Sequence, residues 1–589
     1  MNLLLLSASL FALAAGPVLY VAARRRLGLL AFLDGFVLVA ISGLVLLEVL
    51  PATLESGGFW ALVFLALGAL GPTVLENQLH HARRAHVATL ALSIAGLVMH
   101  SVGDGTALAP QHHGEIHLAL ALAICVHSIP VGLAVWWLLY PVFGYAVPAL
   151  SIAAMAAGTV AGYAFADTLG GWLGATGWAW LQALVAGSIL HVVFGRPHLE
   201  RGSNERLTHP LFEGSGNVIA VAALLLLENL HPAEEHAGHG GHAGHADYLH
   251  PLVDLVLDSA PALLAAFALT LALAVWNARR SRSPAGRSGW LDLLCGLPSE
   301  PLYRRHAASG ESLLRGLLQL AAGPQLTLAG LALSLALLGL PMTVLAAGCV
   351  LLLSLVTGLV LPRLFRDASQ PRFEFAPEPI VGRACDLHDH VSPFTIAAPA
   401  RAPLRSINPA PPATPSADRL WPFESQLPWL ICGLLVATLG LPYLNEGLWL
   451  SLPPGLQLAL AVGIGALLGA TAIGAVPIAA MLLATGAPAG VALGLLVASG
   501  AALPRRWPLL RSLHGRRFAS VHAACFILGA CVIGLLLDRF VAVPSARAHA
   551  EPGMLHLICL GLLLLLAVVA LLRRGGRELF ATLFFPKAL

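Results

Sequence analysis

Apolar runs of about 20 residues, the length that crosses a bilayer as a helix, recur along this chain from Asn2 to Leu572. A spanning segment must satisfy its own backbone polar groups, because lipid offers them no partners. The runs therefore predict an all-α polytopic membrane protein with about fourteen to sixteen transmembrane helices. This architecture excludes a soluble enzyme, a DNA-binding protein and a single-anchor receptor.

The composition agrees with a chain that lies mostly in lipid. Hydrophobic residues make up 58% of the sequence and charged residues only 11%, against roughly 25% charged residues in soluble domains. The net charge of +3 is too small to indicate a polyanionic partner, so we expect no nucleic acid. We expect a multi-pass protein of a bacterial inner membrane, with the lipid bilayer as its partner. The sequence is also compatible with a homodimer.

The 8 cysteines form no C-x-x-C motif and lie mostly in apolar runs, so we expect no disulfide framework. The first apolar run lacks a basic segment before it and is followed by Arg24, Arg25 and Arg26. This order is the reverse of a secretory signal, so the run is predicted to stay as the first span. The positive-inside rule then places the amino terminus outside.

The basic loops and the polar segments divide the chain into two hydrophobic blocks. The first block is predicted to hold helices at about 2–22, 28–50, 58–75, 88–108, 116–139, 146–166, 176–195 and 216–230. In the second, spans are expected near 252–276, 326–340 and 342–362, and apolar stretches follow at about 427–446, 455–503, 520–538 and 553–573. The positive-inside rule places an arginine-rich loop of this block inside, with Arg505, Arg506, Arg511, Arg516 and Arg517. The predicted domains are an eight-helix domain at 1–230, a His-rich external hinge at 231–250, a first permease-like half at 251–362, a Pro- and Arg-rich disordered cytoplasmic linker at 363–426 and a second permease-like half at 427–589.

The second block contains an internal repeat with a shift of 176 residues. The shift places Pro301, Gly310 and Leu317 on Pro477, Gly486 and Leu493. Paired apolar segments that Pro and Gly interrupt are typical of broken helices that line a transport site. Cys295 and Pro298 lie next to the first of these segments. The alternative is that two Ala-, Leu- and Gly-rich helices resemble each other by composition.

A His and an Asp lie one turn apart in the fourth apolar run. The spacing of His100 and Asp104 puts both side chains on one helical face. An Asp inside hydrocarbon is costly unless it is paired or coordinated, so the motif indicates a functional site, with a packing pair as the alternative. On the fifth run, His127 precedes Pro130. Imidazole and carboxylate suit a divalent transition metal, with Zn²⁺ as the first candidate.

These motifs resemble the ZIP family of divalent metal transporters over about residues 1–230. HSVGDG at 100–105 and HSIPVG at 127–132 occupy the places of that family's intramembrane motifs, and GLVLLEVLP at 43–51 resembles a further segment with Glu48 at the His position. The resemblance implies eight helices, both termini outside, a metal between the fourth and fifth helices, and import by alternating access.

Two departures from the family pattern change the expected ligand set. Ser101 replaces an Asn, and Val131 replaces a carboxylate. We therefore expect a single metal rather than a binuclear site, held by His100, Asp104 and His127 and completed by water, Glu48 or His191. The metal is expected to be the substrate, and no organic cofactor is expected. The alternative is an accessory or regulatory protein whose ZIP-like domain binds metal without transporting it.

Glycine-spaced histidines in the hinge indicate weak capture of transition metals, the alternative being a merely polar linker. The hinge residues are His231, His236, His239, His242, His245 and His250, and the loop before the fifth helix adds His112, His113 and His117.

The second block resembles predicted permeases that include organoarsenical efflux carriers. The similar parts are the paired broken-helix segments and CGLPSEPL at 295–302. Trivalent arsenic prefers several thiolates, whereas Cys295 is the one cysteine of that segment. A non-transporting scaffold is the alternative for this block. No H-E-x-x-H or G-x-x-x-x-G-K-[ST] motif occurs, so we expect a transporter and not an enzyme.

Overall fold

A computed structural model gives the fold of most of the chain. The described residues are 2–23, 26–78, 82–109, 118–194, 209–229, 249–280, 294, 299–309, 312–365, 422–445, 451–540 and 553–584. Within these ranges the chain forms helices and helical turns and no strand. The predicted all-α polytopic class is confirmed.

Eight helices in the described ranges are long and apolar enough to cross a membrane. They include segments Leu3–Ala22, Gly28–Gly57, Ala146–Ala164, Asp254–Trp276, Leu328–Leu364, Pro422–Gly440, Arg516–Arg539 and Met554–Arg574. Shorter apolar helices occur at Phe59–Ala69, Pro210–Leu226, Pro454–Leu468 and Ala472–Ala484. Large apolar side chains such as Phe11 and Leu150 are more than two-thirds exposed, as expected for helices whose outer faces contact lipid.

Contacts divide the chain into two compact units, Met1–Ala246 with Gly561–Phe585, and Asp247–Leu560 with Pro586–Leu589. We call them unit 1 and unit 2. Of the linker predicted at 363–426, residues 366–421 lie outside the described residues, and 422–426 are helical, so the helix that follows begins earlier than expected.

Unit 1 contains the eight predicted helices of the first block. They are α1 Asn2–Ala23, α2 Leu27–Leu44 with a π turn Val45–Val49 and α3 Leu50–Gly57, α4 Phe59–Gln78, α5 Ala82–Leu108, α6 Leu118–Phe143, α7 Ala146–Ala164, α8 Ala166–Phe194 and α9 His209–Asn229. Helix α8 is interrupted at Gly174, so its long straight part begins close to the predicted start of that span. Helix α9, the shortest predicted span of the block, is present.

Close helix contacts in unit 1 depend on glycine. A methyl group on Gly105 of α5 would clash with the Thr159 backbone of α7, and one on Gly162 would clash with the Val102 backbone. Small residues let helix backbones approach in lipid, where van der Waals packing drives association. This contact fixes the part of α5 that carries His100 and Asp104.

The last helix of the chain also packs in unit 1. Helix α21, Gly576–Phe584, follows α20, Met554–Arg574. Arg577 forms a two-pronged ion pair with Asp34 of α2 and donates to the Val193 carbonyl oxygen at 2.8 Å. The Arg577 backbone N–H donates to Glu213 of α9 at 2.9 Å. A planar guanidinium suits such bidentate pairing, which fixes α21 against three helices.

Unit 2 combines long helices with several short ones of 10 to 15 residues. They are α10 Leu249–Arg280, α11 Ser299–Ser309, α12 Leu313–Ala322, α13 Leu328–Leu364, α14 Pro422–Asn445, α15 Pro454–Leu468, α16 Ala472–Ala484, α17 Ala489–Ala498, α18 Leu503–His514 and α19 Arg516–Phe540.

Helix α13 is a hairpin and not a straight rod. Gly339 has φ 80° and ψ 170°, outside the helical region. The Ser334 and Thr343 hydroxyl oxygens are 2.9 Å apart, whereas nine residues of straight helix would separate them by about 14 Å. The chain therefore reverses at Gly339, which confirms the two predicted helices that meet there. The first arm, 328–338, is about 16 Å long and covers only half of a bilayer core.

The predicted internal repeat is present in the structure with the same 176-residue shift. The shift maps α12 onto α17, the 3₁₀ turn Gly323–Gln325 onto Ser499–Ala501, and the arm 328–338 onto α18. It also maps Gly339 onto Gly515, which has the similar φ of 93°, and the arm 340–364 onto α19. We call 313–338 the first discontinuous helix and 489–514 the second.

Equivalent residues make equivalent contacts in the two repeats. A methyl on Gly358 would lie 2.5 Å from Leu314, and a methyl on the equivalent Gly534 would lie 2.7 Å from the Gly490 carbonyl oxygen. Leu353 and its own equivalent, Gly529, contact each other near the middle of their helices. A contact between equivalent positions places a pseudo-two-fold axis there. The two repeats of unit 2 are therefore related by approximate two-fold symmetry.

Candidate functional sites

The His100–Asp104 pair lies on α5, where α5 contacts α7. His100 Nε2 is 3.6 Å from Asp104 Oδ1, and each side chain is 15% exposed. The Ser101 hydroxyl donates a hydrogen bond to the Leu97 carbonyl oxygen at 3.0 Å and is not part of the His100–Asp104 pair. The predicted one-turn geometry is thus present. Imidazole nitrogen and carboxylate oxygen are both ligand types that a divalent transition metal accepts.

The other predicted ligands lie on neighbouring helices. Glu48 is in the π turn of α2, His127 is on α6 and His191 is on α8, and the side chains of all three lie outside the described residues. Among the side chains that the structure does describe, no three His, Cys, Asp or Glu groups cluster as metal ligands. The four-ligand site therefore stays a prediction.

Val131 occupies an apolar environment. It is 6% exposed and packs in a cluster with Leu13, Val135, Leu139 and Met155. Burial in this cluster gives a physical reason for a hydrocarbon side chain at the position where the ZIP pattern has a carboxylate.

The predicted auxiliary histidines cannot be compared with the structure. His112, His113, His117, His231, His236, His239, His242 and His245 lie outside the described residues, and for His250 only the backbone, within α10, is described. The same holds for three residues of the broken-helix segments, Cys295, Pro298 and Gly310. Metal capture at the hinge remains a prediction.

The remaining broken-helix residues mark helix ends and interruptions. Pro301 is in the first turn of α11, where a missing backbone N–H costs nothing. Pro477 is buried inside α16, and Gly486, with φ 85°, follows the end of that helix. The repeat makes Pro301 equivalent to Pro477. Both lie close to interruptions between helices, and the main polar site of unit 2 lies at such interruptions.

Three helix interruptions meet in unit 2. The first discontinuous helix breaks at 323–327 and the second at 499–502. The third interruption is the turn Gly469–Thr471 between α15 and α16. A methyl on Gly469 would lie 3.0 Å from Ala502 Cα, and Gln325 Nε2 donates to the Ala470 carbonyl oxygen at 3.0 Å. The turn therefore contacts both breaks.

Charged side chains accompany the second break. Arg505 Nη2 donates to Glu300 Oε2 of α11 at 2.9 Å and lies over the Trp429 ring, 5.2 Å from its centroid. Arg506 Nη1 donates to the Gly500 carbonyl oxygen inside the break. Arg506 is only 2% exposed, and a guanidinium stays protonated even when it is buried. Arg506 is therefore a buried cation at neutral pH. We call Glu300, Gln325, Ala470, Arg505 and Arg506 the central site.

The break and its charges lie near the middle of a span. The second discontinuous helix runs antiparallel to α19, with Gly490 against Gly534, Gly500 against Phe526 and Trp507 against Ser520. Phe526 is ten residues into α19, about 15 Å from its start, which is half of a bilayer core.

The sequence placed Arg505 and Arg506 in an inside loop, and this is where the structure differs most from expectation. Both residues lie in the first turn of helix α18, and Arg506 is only 2% exposed. A clue was available, since the repeat pairs this arginine-rich segment with the apolar arm 328–338. Arginines in one repeat at positions where the other repeat is apolar would have indicated a buried site.

Comparison with known proteins identifies the region that holds these features. Residues 277–539 match a protein family described as predicted permease. This permease-like region contains both discontinuous helices and the whole central site. The match favours a membrane transporter over an enzyme. No curated protein and no solved structure matches the chain significantly. The family match does not extend to residues 1–230, so the ZIP resemblance of that block stays a prediction.

Proposed function

We propose that unit 2 transports a solute through the central site by alternating access. Discontinuous helices that meet at the middle of the membrane, in two symmetry-related repeats, are the arrangement on which secondary transporters build substrate sites. The observation that carries the proposal is the meeting of both breaks at the Gly469–Thr471 turn.

The distribution of basic residues supports repeats of inverted topology. The arm 340–364 carries Arg363 in its last turn and no basic residue in its first, whereas its equivalent, α19, begins with Arg516 and Arg517 and has in its last turn one arginine, Arg539, next to Asp538. Since basic residues favour the cytoplasmic side, equivalent helices cross the membrane in opposite directions. Inverted repeats can exchange conformations, and this exchange opens a shared site to one side and then to the other.

Cysteine accessibility tests alternating access without knowledge of the solute. All 8 native cysteines are replaced, and Thr471→Cys is treated with an impermeant thiol reagent in right-side-out and in inverted vesicles. We expect reaction from both sides. Leu352→Cys, 56% exposed on the lipid-facing surface of α13, is the matched control and should react from neither. Reaction of Thr471→Cys from one side alone, or from neither, would support the scaffold alternative.

A second proposed function belongs to unit 1. We propose that His100 and Asp104 bind a divalent metal, with Zn²⁺ as the first candidate, as the substrate of a separate pathway. The pair geometry supports this, because a half-buried carboxylate one turn from an imidazole in an apolar helix is stabilised by a shared cation. In the accessory or regulatory alternative the same residues bind metal that is not transported.

Zinc titration of the purified chain tests the metal site. Asp104→Asn keeps the shape but removes the anion, so the tight zinc affinity should fall by about tenfold or more. Ser101→Ala, on the same helix, should leave the affinity unchanged. Unchanged affinity in Asp104→Asn would show that the pair serves packing. If the wild-type site binds zinc, radiolabelled zinc uptake in vesicles separates transport from the accessory role.

A further inference from the structure

The central site is surrounded by the amino-terminal ends of four helices. Helix α16 begins at Ala472, directly after the turn that contacts both breaks, and α18 begins at Leu503, directly after the second break. The first arm of α13 begins at Leu328, and a methyl on Gly330 in its first turn would lie 2.6 Å from Ala472 Cβ. Helix α11 begins at Ser299, and its Glu300 reaches Arg505. Two of the four ends come from each repeat.

Helix amino termini carry partial positive charge and unpaired backbone N–H groups. Acidic residues are therefore favoured in a first turn and basic residues are disfavoured. Arg505 and Arg506 both lie in the first turn of α18, against this preference. Together the two guanidinium groups face one carboxylate, that of Glu300. The described charges of the central site thus leave an excess of positive charge in a buried place.

Several buried polar atoms around the central site have no hydrogen-bond partner among the residues that the structure describes. Four of them are donors, Ser299 Oγ, Thr471 Oγ1, Arg505 Nε and Arg506 Nε, and the fifth is His522 Nε2, which donates or accepts according to its tautomer. Arg506 and His522 are 2% and 1% exposed, and Arg506 is held with its head at the second break by its bond to Gly500. Leaving a buried donor unpaired costs free energy, more so when it is charged. A negatively charged hydrogen-bond acceptor would be stabilised by the four helix ends, the excess cation and the unpaired donors together.

We propose that the central site binds a compact oxygen anion, an oxyanion or carboxylate of one or two charges, as the transported substrate of unit 2. This proposal rests on the proposed function of unit 2 and names its substrate class. Arg506, the most buried cation of the site, makes the principal contact with the anion. Glu300 competes with the anion for Arg505, so the ion pair holds Arg505 in place while the site is empty.

Anion binding to the purified full-length chain tests the proposal. Phosphate, sulfate and acetate are titrated separately, with ionic strength balanced by bulky gluconate, and binding is followed by calorimetry and by thermal unfolding. We expect saturable binding of at least one of the three probes. Arg506→Gln should weaken this binding by about tenfold or more, because a charge-assisted hydrogen bond is lost.

The variants separate a binding role from a structural one. Arg511→Gln removes the same charge from an exposed position of the same helix and should change affinity by less than about twofold, as surface charges contribute little. Glu300→Gln removes the competing carboxylate and should tighten binding, which a merely structural role would not do. If Arg506→Gln does not fold, Arg506→Lys, which keeps the charge, should retain binding, and the Glu300→Gln result still decides. Absence of saturable binding in the wild type, or equal losses in Arg506→Gln and Arg511→Gln, would overturn the proposal.

The two proposals for unit 2 fail separately. Two-sided reaction of Thr471→Cys without binding of any probe anion would leave transport in place and reject the substrate class. Saturable anion binding with one-sided cysteine reaction would keep the binding site and reject transport.

Discussion

Buried charges in both units are stabilised by residues that lie far away in the sequence. Arg505 pairs with Glu300 in unit 2, and Arg577 pairs with Asp34 in unit 1. Such pairs cannot be read from spacing along the chain, because the partners lie on different helices. By contrast, His100 and Asp104 are neighbours on one helix, so their geometry followed from the helical period alone.

Val131 gives a residue-scale prediction about the ZIP resemblance. Restoring the family carboxylate by Val131→Glu should destabilise the protein by about 2–4 kcal/mol, since the new carboxylate would be buried among apolar side chains. Val131→Gln, of the same size but uncharged, should cost less. The measurement is thermal unfolding of the purified variants with and without zinc. A Val131→Glu protein that zinc stabilises above the wild type would instead support a second metal position.

At the scale of elements, unit 2 depends on helices that stop and turn within the membrane. The first and second discontinuous helices break at 3₁₀ turns, and each is followed by a glycine turn into a long helix, at Gly339 and at Gly515. At the second break Ala502, a residue with a Cβ, has φ 39°. Strained backbone of this kind persists where the surroundings enforce it and often marks functional sites.

The two glycine turns can be tested against a helical glycine. Gly339→Ala and Gly515→Ala should each cost about 1–3 kcal/mol, because both positions combine a positive φ with an extended ψ, which residues with a Cβ rarely adopt. A methyl group would meet no atom closer than 3.9 Å at Gly339 and none within 4 Å at Gly515, so the cost comes from the backbone conformation. Gly348→Ala, in the helical arm of α13 with open space around it, should be neutral or stabilising. Melting temperatures that fall equally in all three variants would contradict this account.

At the scale of the whole molecule, the sequence predicted the features that follow a regular pattern along the chain, namely the helix positions and the internal repeat. Helix positions followed from apolar runs, and the repeat followed from Pro and Gly at matching positions. The central site did not follow, because its arginines resemble a cytoplasmic loop until the break beside them is seen in contact with the Gly469–Thr471 turn. Nor did the pattern show that the end of the chain packs with unit 1, a contact made by a few polar residues of α21.

The membrane topology is open to a direct test. Positive-inside reasoning predicts that the 231–250 hinge is outside and the 363–426 linker is inside. In a cysteine-free background, Gly240→Cys and Ser406→Cys should therefore react with an impermeant maleimide from opposite sides of the membrane. Reaction of both from the same side would contradict the predicted topology.

The contact between Leu353 and Gly529 bears on how unit 2 arose. A position on a two-fold axis meets its own copy, so two identical half-chains would have to pair Leu with Leu or Gly with Gly there. A Leu pair would overfill the crossing, and a Gly pair would leave it empty. Joining the halves in one polypeptide allows a large side chain to fit against a bare backbone. Gene fusion thus permits a tighter crossing than a homodimer of half-length chains could form.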